Sequence, residues 1–406
     1  MRILFLCNKS PWPPREGGPM AMNMIIRGLA DAGHQVRVLA VNSHKYHVSP
    51  ADIPPGYAET TGIELIDVDL RLKPHAALLN LFRRESYHVK RFISENFSIR
   101  LTGLLKEETF DIVQLETVFM CPYIGIIRKH SGAKIILRAH NIEHLIWQRI
   151  AEDARNPLKK WYVGHLASTL KEYELAIVSE VDGILAITSR DADYFRSLQS
   201  SIPYPASRIP VSDIPFGINP ADYTLPVKNE EFPSLFALGS MNWIPNQDGI
   251  RWFLRHVWPD VHRQFPELKF YLAGRGMPGW MRSMKQPNVV VLGEVADARE
   301  FMASKAIMIV PLFSGSGIRV KIIEGMAAHK TIVSTRIGAE GIACTHLHDI
   351  LIADSACEFF EMISLGVTDR ALCSRIGDYA ATLVESTYSV KPLIMKTVEF
   401  YEQLLH

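Results

Sequence analysis

The chain has 406 residues, of which 48% are hydrophobic and 21% charged, which is enough for two domains that each bury a core. A formal net charge of +1 excludes the broad electrostatic pull of a nucleic-acid binder, so no nucleic-acid partner is expected. Five scattered cysteines (Cys7, Cys121, Cys344, Cys357, Cys373) without CxxC spacing point to a reducing compartment, away from a disulfide framework or a zinc site.

Residues 2–7 read as a buried first strand and not as a signal peptide, because Lys9 and several prolines follow the short apolar run at once. No apolar run is long enough to span a bilayer, and a cytoplasmic location is expected. Loop chemistry from Asn8 ends in the pair Gly17-Gly18; helical spacing over 20–32 closes at Gly33, and a second strand covers 34–41. This βαβ unit lacks the GxGxxG of a nicotinamide site, and its glycines fit either a tight turn or an anion- or acceptor-binding loop. Strand-like 62–69 holds Asp67 and Asp69, and Asp191 and Asp193 form a second acidic pair at a helix start. Such pairs can hold a divalent ion, but they are common by chance, and no metal site is expected.

The stretch 71–91 sets Arg71, Lys73, Arg83, Arg84, Lys90 and Arg91 against one acid, Glu85, around the apolar run 76–82. It fits a helix seated in the headgroup layer of an anionic membrane, or one packed on its own domain with solvated charges. Strand patterns at 110–115, 134–138 and 183–187 alternate with helical ones. The longest helical pattern, 157–180, puts Trp161, His165, Leu166, Leu170, Tyr173 and Ile177 on one side. Alternation of this kind predicts a doubly wound parallel sheet with ligands at the carboxyl ends of its strands. The segment from Arg138 to His144, RAHNIEH, follows such an end. His140 and His144 could chelate an ion if helical, but no third ligand is evident. A histidine that orients a hydroxyl or polarises a departing group is the better reading of His140.

A charged, Pro-bounded linker is expected at 226–233, followed by a second alternation. Its strands are 235–238, 269–273, 288–292, 306–310, 331–334 and 350–352, with one helix over 247–261. They end in small or polar loops: 239–246, Gly274-Arg275-Gly276, and Gly293-Glu294-Val295. The chain is organised around 311–328, PLFSGSGIRVKIIEGMAA, where an apolar strand runs through Ser314, Gly315, Ser316 and Gly317 into a helix. A Gly-rich turn at a helix start binds anions, because the first N–H groups lack internal partners and the dipole adds positive charge. Arg319 and Lys321 add two cations, and Glu324 one turn on can accept from ribose hydroxyls, a set that suits a nucleotide diphosphate.

Gly17-Gly18, the strand-end His140, IPFGI at 214–218, Gly274-Arg275-Gly276 and GSGIRVKIIEGMAA at 315–328 together carry a resemblance over essentially the whole chain. The chain resembles the retaining, metal-independent glycosyltransferases of the GT-B fold, in particular glycosyltransferase family 4. The resemblance implies an α/β protein of two doubly wound Rossmann-like domains facing across a cleft. Residues 1–212 would form the acceptor-side domain and 213–388 the nucleotide-sugar-binding domain, with helix 389–406 packing back on the first. It implies a nucleotide diphosphate sugar as donor, no cofactor, and a glycan or lipid-linked acceptor. The setting would be bacterial surface polysaccharide synthesis, in the cytoplasm or at the cytoplasmic face of the inner membrane through 71–91.

His140, Arg319 and Lys321 are the expected catalytic residues. Gly17, Gly18, Gly274, Gly276, Val295, Ser314, Gly315, Ser316, Gly317 and Glu324 are the expected nucleotide-sugar contacts. Two departures stand out. The family's Glu-x7-Glu pair keeps its second member in Glu324, but Ser316 occupies the first position. The usual Arg and Lys after the first strand of the second domain are replaced by 240–246, which leaves Arg319 and Lys321 as the substitute cations. A GT-B sugar-nucleotide epimerase and a nucleotide-binding module without turnover are the alternative readings.

Overall fold

The computed structural model describes residues 1–14, 17–71, 85–154, 156–200, 209–224, 230–315 and 317–406. The chain divides into two compact units, Met1–Phe216 with Leu393–His406, and Gly217–Pro392.

The first unit carries β1 (Arg2–Cys7), β2 (Gln35–Ser43), β3 (Glu64–Val68), β4 (Ile112–Glu116), β5 (Lys134–Ala139), β6 (Gly183–Ala186) and β7 (Val211–Asp213). All pair in parallel, in the order β3-β2-β1-β4-β5-β6-β7. A parallel sheet is covered on both faces, so its strands read as continuous apolar runs; Ile3 through Cys7 are fully buried. The helix Gly17–Asp31 buries Met22, Ile25, Ile26 and Leu29, the helical spacing seen in the sequence. Strand order reverses between β1 and β4, so a crevice is placed outside their carboxyl ends. The helix Val390–Leu405 joins this unit from Leu393 onward. Its Tyr401 is fully buried, and Lys396 Nζ donates to the Asp213 carbonyl at 2.7 Å.

The second unit carries β8 (Glu231–Leu238), β9 (Phe270–Ala273), β10 (Val289–Gly293), β11 (Lys305–Val310), β12 (Thr331–Ser334) and β13 (Leu351–Ile352). They too are parallel, ordered β10-β9-β8-β11-β12-β13, with the switch between β8 and β11. Phe236, Phe253, Phe270 and Ile307 are fully buried in its core.

Three expectations are corrected. Residues 231–233 of the expected linker begin β8, and the acids there are used in pairing: Glu231 accepts from Lys305 Nζ at 2.6 Å, and Glu230 from Lys330 Nζ at 2.6 Å. The single helix over 247–261 is two helices, Ile244–His256 and Trp258–Gln264. Pro259 explains the break, since it has no N–H to donate and its ring clashes with the preceding turn. Trp161 does not join the buried face of the helix Pro157–Ile177. It is 63% exposed and stacks on His165, while Val163, Leu166, Ala167 and Leu170 are buried. Residues 72–84 of the basic stretch lie outside the described residues. At its flanks Arg71 pairs with Asp69, Lys90 with Glu85, and Arg91 donates to the Leu70 carbonyl. No helix among the described residues is long and apolar enough to cross a membrane.

Candidate active site

The carboxyl ends of β8 and β11 bring together the loop 239–243, with the first turn of the helix Ile244–His256 where the sequence reads as loop to 246, and the segments 311–315 and 317–319 at the second unit's switch point. The helix after β11 runs Val320–Ala327, so Arg319 is its N-cap and Lys321 lies in its first turn, where no acid stands. Lys321 Nζ donates to Asn246 Oδ1 at 2.8 Å, and Asn246 Nδ2 donates to the Ser240 carbonyl at 2.9 Å. One buried amide thus ties the loop after β8 to the cation after β11. Arg319 is buried, stacks over the Trp243 ring with its guanidinium carbon 5.4 Å from the centroid, and donates from Nη1 to the Gly317 carbonyl at 2.8 Å. Gly315 has φ +119°, and a Cβ there would come within 2.7 Å of Arg319 Nη2 and 3.0 Å of Trp243. A side chain at that position would displace the cation. Ser314 is exposed in the same turn, and Ser316 lies outside the described residues.

Burial first, and the neighbouring Arg319 charge second, lower the Lys321 ammonium to about 7. The Glu340 charge acts in favour of the Arg319 guanidinium, while the Arg319 charge acts against the Lys321 ammonium, and an anion bound at Lys321 would relieve that repulsion. Burial raises the Glu324 carboxyl above its usual value, against a hydrogen bond from Tyr223 Oη to Glu324 Oε1 at 2.8 Å and the charge of Arg299. Gly274, Gly276 and Val295 lie in the loops that close β9 and β10. The turn after β9 is held on both sides: Gly274 N donates to the Gly293 carbonyl at the end of β10 at 2.7 Å, and Met241 N, in the loop after β8, to the Arg275 carbonyl at 2.8 Å.

In the first unit, His140 follows β5 and its Nε2 lies 2.6 Å from Glu116 Oε2 at the end of β4. His144 turns elsewhere, with Nδ1 2.6 Å from Glu174 Oε2 and Nε2 3.1 Å from Tyr194 Oη. The two histidines therefore answer to separate partners and do not form a chelate. Burial and then the Glu174 charge push the Glu143 carboxyl up to about 7. His144 also borders a cavity of about 340 Å³ that Gln148, Lys160, Ser168 and Lys171 line. Gly17 and Gly18 open the helix after β1, with Gly18 against the end of the Lys9 side chain. Asp67 accepts from Asn42 Nδ2 at 2.9 Å, and Asp193 pairs with Arg196. Among the described residues no three His, Cys, Asp or Glu side chains are grouped to hold a metal ion.

Residues 17–221 match the family model described as Glycosyltransferase Family 4, and residues 232–368 match that of glycosyl transferases group 1. The chain belongs to glycosyltransferase family 4. A relative described as an "uncharacterized 44.6 kDa protein in cps region" of Klebsiella pneumoniae is 22% identical, over 96% of this chain and 97% of its own. Three solved structures share the fold at low identity. Sucrose-phosphate synthase of Thermosynechococcus elongatus has a TM-score of 0.69 at 14% identity, covering 100% of this chain and 99% of that one. Anabaena HepE in complex with UDP has 0.67 at 14%, covering 99% and 100%. A Rickettsia africae glycosyltransferase has 0.67 at 15%, covering 100% and 98%.

The two parallel sheets are those of a GT-B glycosyltransferase, and the enzyme is a transferase. Several residues that shape this glycosyltransferase's two strand-end sites escape a reading by motif: Asn246, Trp243 and Tyr223 in the second unit, Gln114, Glu116 and Tyr401 in the first. Tyr223 meets Glu324 across 101 positions of sequence, a separation no local pattern spans.

Proposed function

We propose that this glycosyltransferase moves a sugar from a nucleotide diphosphate sugar, with retention and without a metal ion, to a glycan or lipid-linked acceptor in bacterial surface polysaccharide synthesis. The observation that carries the reading is the pair Arg319 and Lys321 at a helix start on the β8/β11 switch point, one turn ahead of Glu324. Side-chain cations stand where a diphosphate needs neutralising, and a carboxylate stands where a ribose presents hydroxyls. HepE has been solved with UDP and with UDP-glucose, and the pneumococcal O-GlcNAc transferase GtfA with UDP and GlcNAc, which supports a nucleotide sugar as donor. The Klebsiella relative from a cps region supports the polysaccharide setting. The basic flanks of 71–91 fit contact with the cytoplasmic face of an inner membrane.

In this reading the bond between the sugar's anomeric carbon and the diphosphate oxygen breaks as the acceptor hydroxyl attacks from the same face. The acceptor's proton passes to the departing phosphate, so no separate base is required. Charge builds on the diphosphate as the bond breaks, and Arg319, Lys321 and the helix start hold that charge best in the transition state. His140 contacts the donor sugar or the surroundings of the leaving group.

Retention is tested by turning over an α-linked nucleotide sugar in EDTA and reading the product's anomeric coupling by NMR. An α-linked product formed at an unchanged rate is expected. A β-linked product, or activity lost with EDTA, contradicts the proposal.

A pH dependence follows from Lys321. A bound diphosphate raises the pKa of an ammonium that stands at about 7 when free, so binding takes up a proton above pH 7. Affinity is flat below the free value and falls above it, by up to about tenfold per pH unit between 7.5 and 8.5. Calorimetry of UDP binding in two buffers of different ionisation heat reads the proton directly. Binding without proton uptake across that window would contradict the assigned role.

A further inference from the structure

Glu116 is the last residue of β4, beside the first unit's switch point, and its side chain is fully enclosed. Both carboxylate oxygens are engaged. Oε2 lies 2.6 Å from His140 Nε2, and Oε1 accepts from Gln114 Nε2 at 2.6 Å. Gln114 Oε1 in turn accepts from the Tyr401 hydroxyl, which reaches in from the Val390–Leu405 helix. Arg138, paired with Glu116 in the β4–β5 register and equally buried, places Nε 3.8 Å from Oε2. No nitrogen of its guanidinium has a hydrogen-bond partner among the described residues, so its charge is balanced by Glu116. Burial alone would raise the Glu116 carboxyl, but the hydrogen bond from His140, the charge of Arg138 and the hydrogen bond from Gln114 hold it below its usual value.

An ionised carboxylate only accepts, so the proton in the short contact sits on His140 Nε2. In the neutral ring the other nitrogen is then an acceptor. Nδ1 has no hydrogen-bond partner among the described residues, and with the ring 11% exposed it is open to water or to a ligand hydroxyl that displaces it. We propose that Glu116 is a positioning residue that fixes His140 in its Nε2–H form, so that Nδ1 is presented as an acceptor to a carbohydrate hydroxyl. This rests on the transferase reading of the His140 side of the site, and it adds the partner that sets which ring nitrogen is offered. Gln114 and Tyr401 brace the carboxylate from behind. The terminal helix thereby contributes to a histidine far from it in sequence.

The test uses the full chain labelled with ¹⁵N-histidine, with His140 assigned by its loss in His140→Gln. Long-range ¹⁵N–¹H spectra without substrate are expected to show Nε2 protonated and Nδ1 bare. Glu116→Gln is expected to mix the two tautomers and to lower kcat roughly 10–100-fold, the scale on which partners that orient a histidine act, with the thermal shift by UDP unchanged. A wild-type His140 protonated on Nδ1 overturns the proposal and needs no variant to fold. So does a Glu116→Gln enzyme that keeps both the tautomer and the rate. If the tautomers behave as expected but no donor is turned over, the function proposed above fails while the role of Glu116 stands.

Discussion

Replacing Lys321 by alanine is expected to lower kcat/KM by roughly 10²–10³-fold, or about 2.7–4 kcal/mol of transition-state stabilisation, the usual cost of removing one preorganised charge donor. The group stands at the start of the helix Val320–Ala327, and among the described residues only the Asn246 side-chain oxygen is in hydrogen-bond reach of its ammonium. Burial and the Arg319 charge both disfavour that ammonium in the free protein. Deleting it relieves a desolvated charge beside a like charge, so the melting midpoint of Lys321→Ala should hold or rise while turnover collapses. This opposition between stability and activity separates a functional cation from a structural one. Steady-state kinetics and a melting curve on the same preparation check it, and a variant that melts early or turns over normally would contradict it.

Gly274→Ala is expected to destabilise the second unit by on the order of 3 kcal/mol, through strain and overpacking together. Its backbone sits at φ +148°, and a Cβ would come within 1.8 Å of the Gly239 carbonyl oxygen, a rigid backbone atom that cannot swing away. The close approach holds the end of β9 against the end of β8, and Ser240 in the loop after β8 accepts from Asn246 of the helix Ile244–His256, which in turn accepts from Lys321. For a unit of this size the midpoint should fall by about 6–12 °C, and the nucleotide response should weaken with it. Gly17→Ala is the contrast, because a Cβ at Gly17 meets nothing within 4 Å. Its melting curve should lie close to that of the unaltered chain. Equal behaviour of the two variants would show that the approach of β9 to β8 is not what the glycine provides.

Fold and site were legible in the sequence to different depths, for physical reasons. Parallel strands announce themselves as apolar runs, and the run before Pro311, followed by glycines, cations and a helix, locates one switch point almost by itself. The first unit hid more. Ile112-Val-Gln-Leu-Glu116 reads as one more strand, yet its two polar side chains fall two positions apart on one face of a buried strand. That spacing is a signal, because buried polar groups demand partners. Here they are His140, Arg138 and Tyr401, and Tyr401 lies 287 positions from Gln114. The break between the helices at Val257 is legible in the sequence, since Pro259 states it locally. The pairing of Glu230 and Glu231 with Lys330 and Lys305 is not, because the same charges read as a solvated linker until the strands are placed.

The most direct test of the account is a thermal-shift panel of nucleoside diphosphates on the whole chain in EDTA, run beside Lys321→Ala. A ligand that binds only the folded state raises the midpoint by mass action. A clear shift from one nucleotide family, undiminished by EDTA and lost in Lys321→Ala, is the predicted result. A shift that vanished with EDTA, or one that survived the loss of Lys321, would contradict a metal-free diphosphate site built on Arg319 and Lys321.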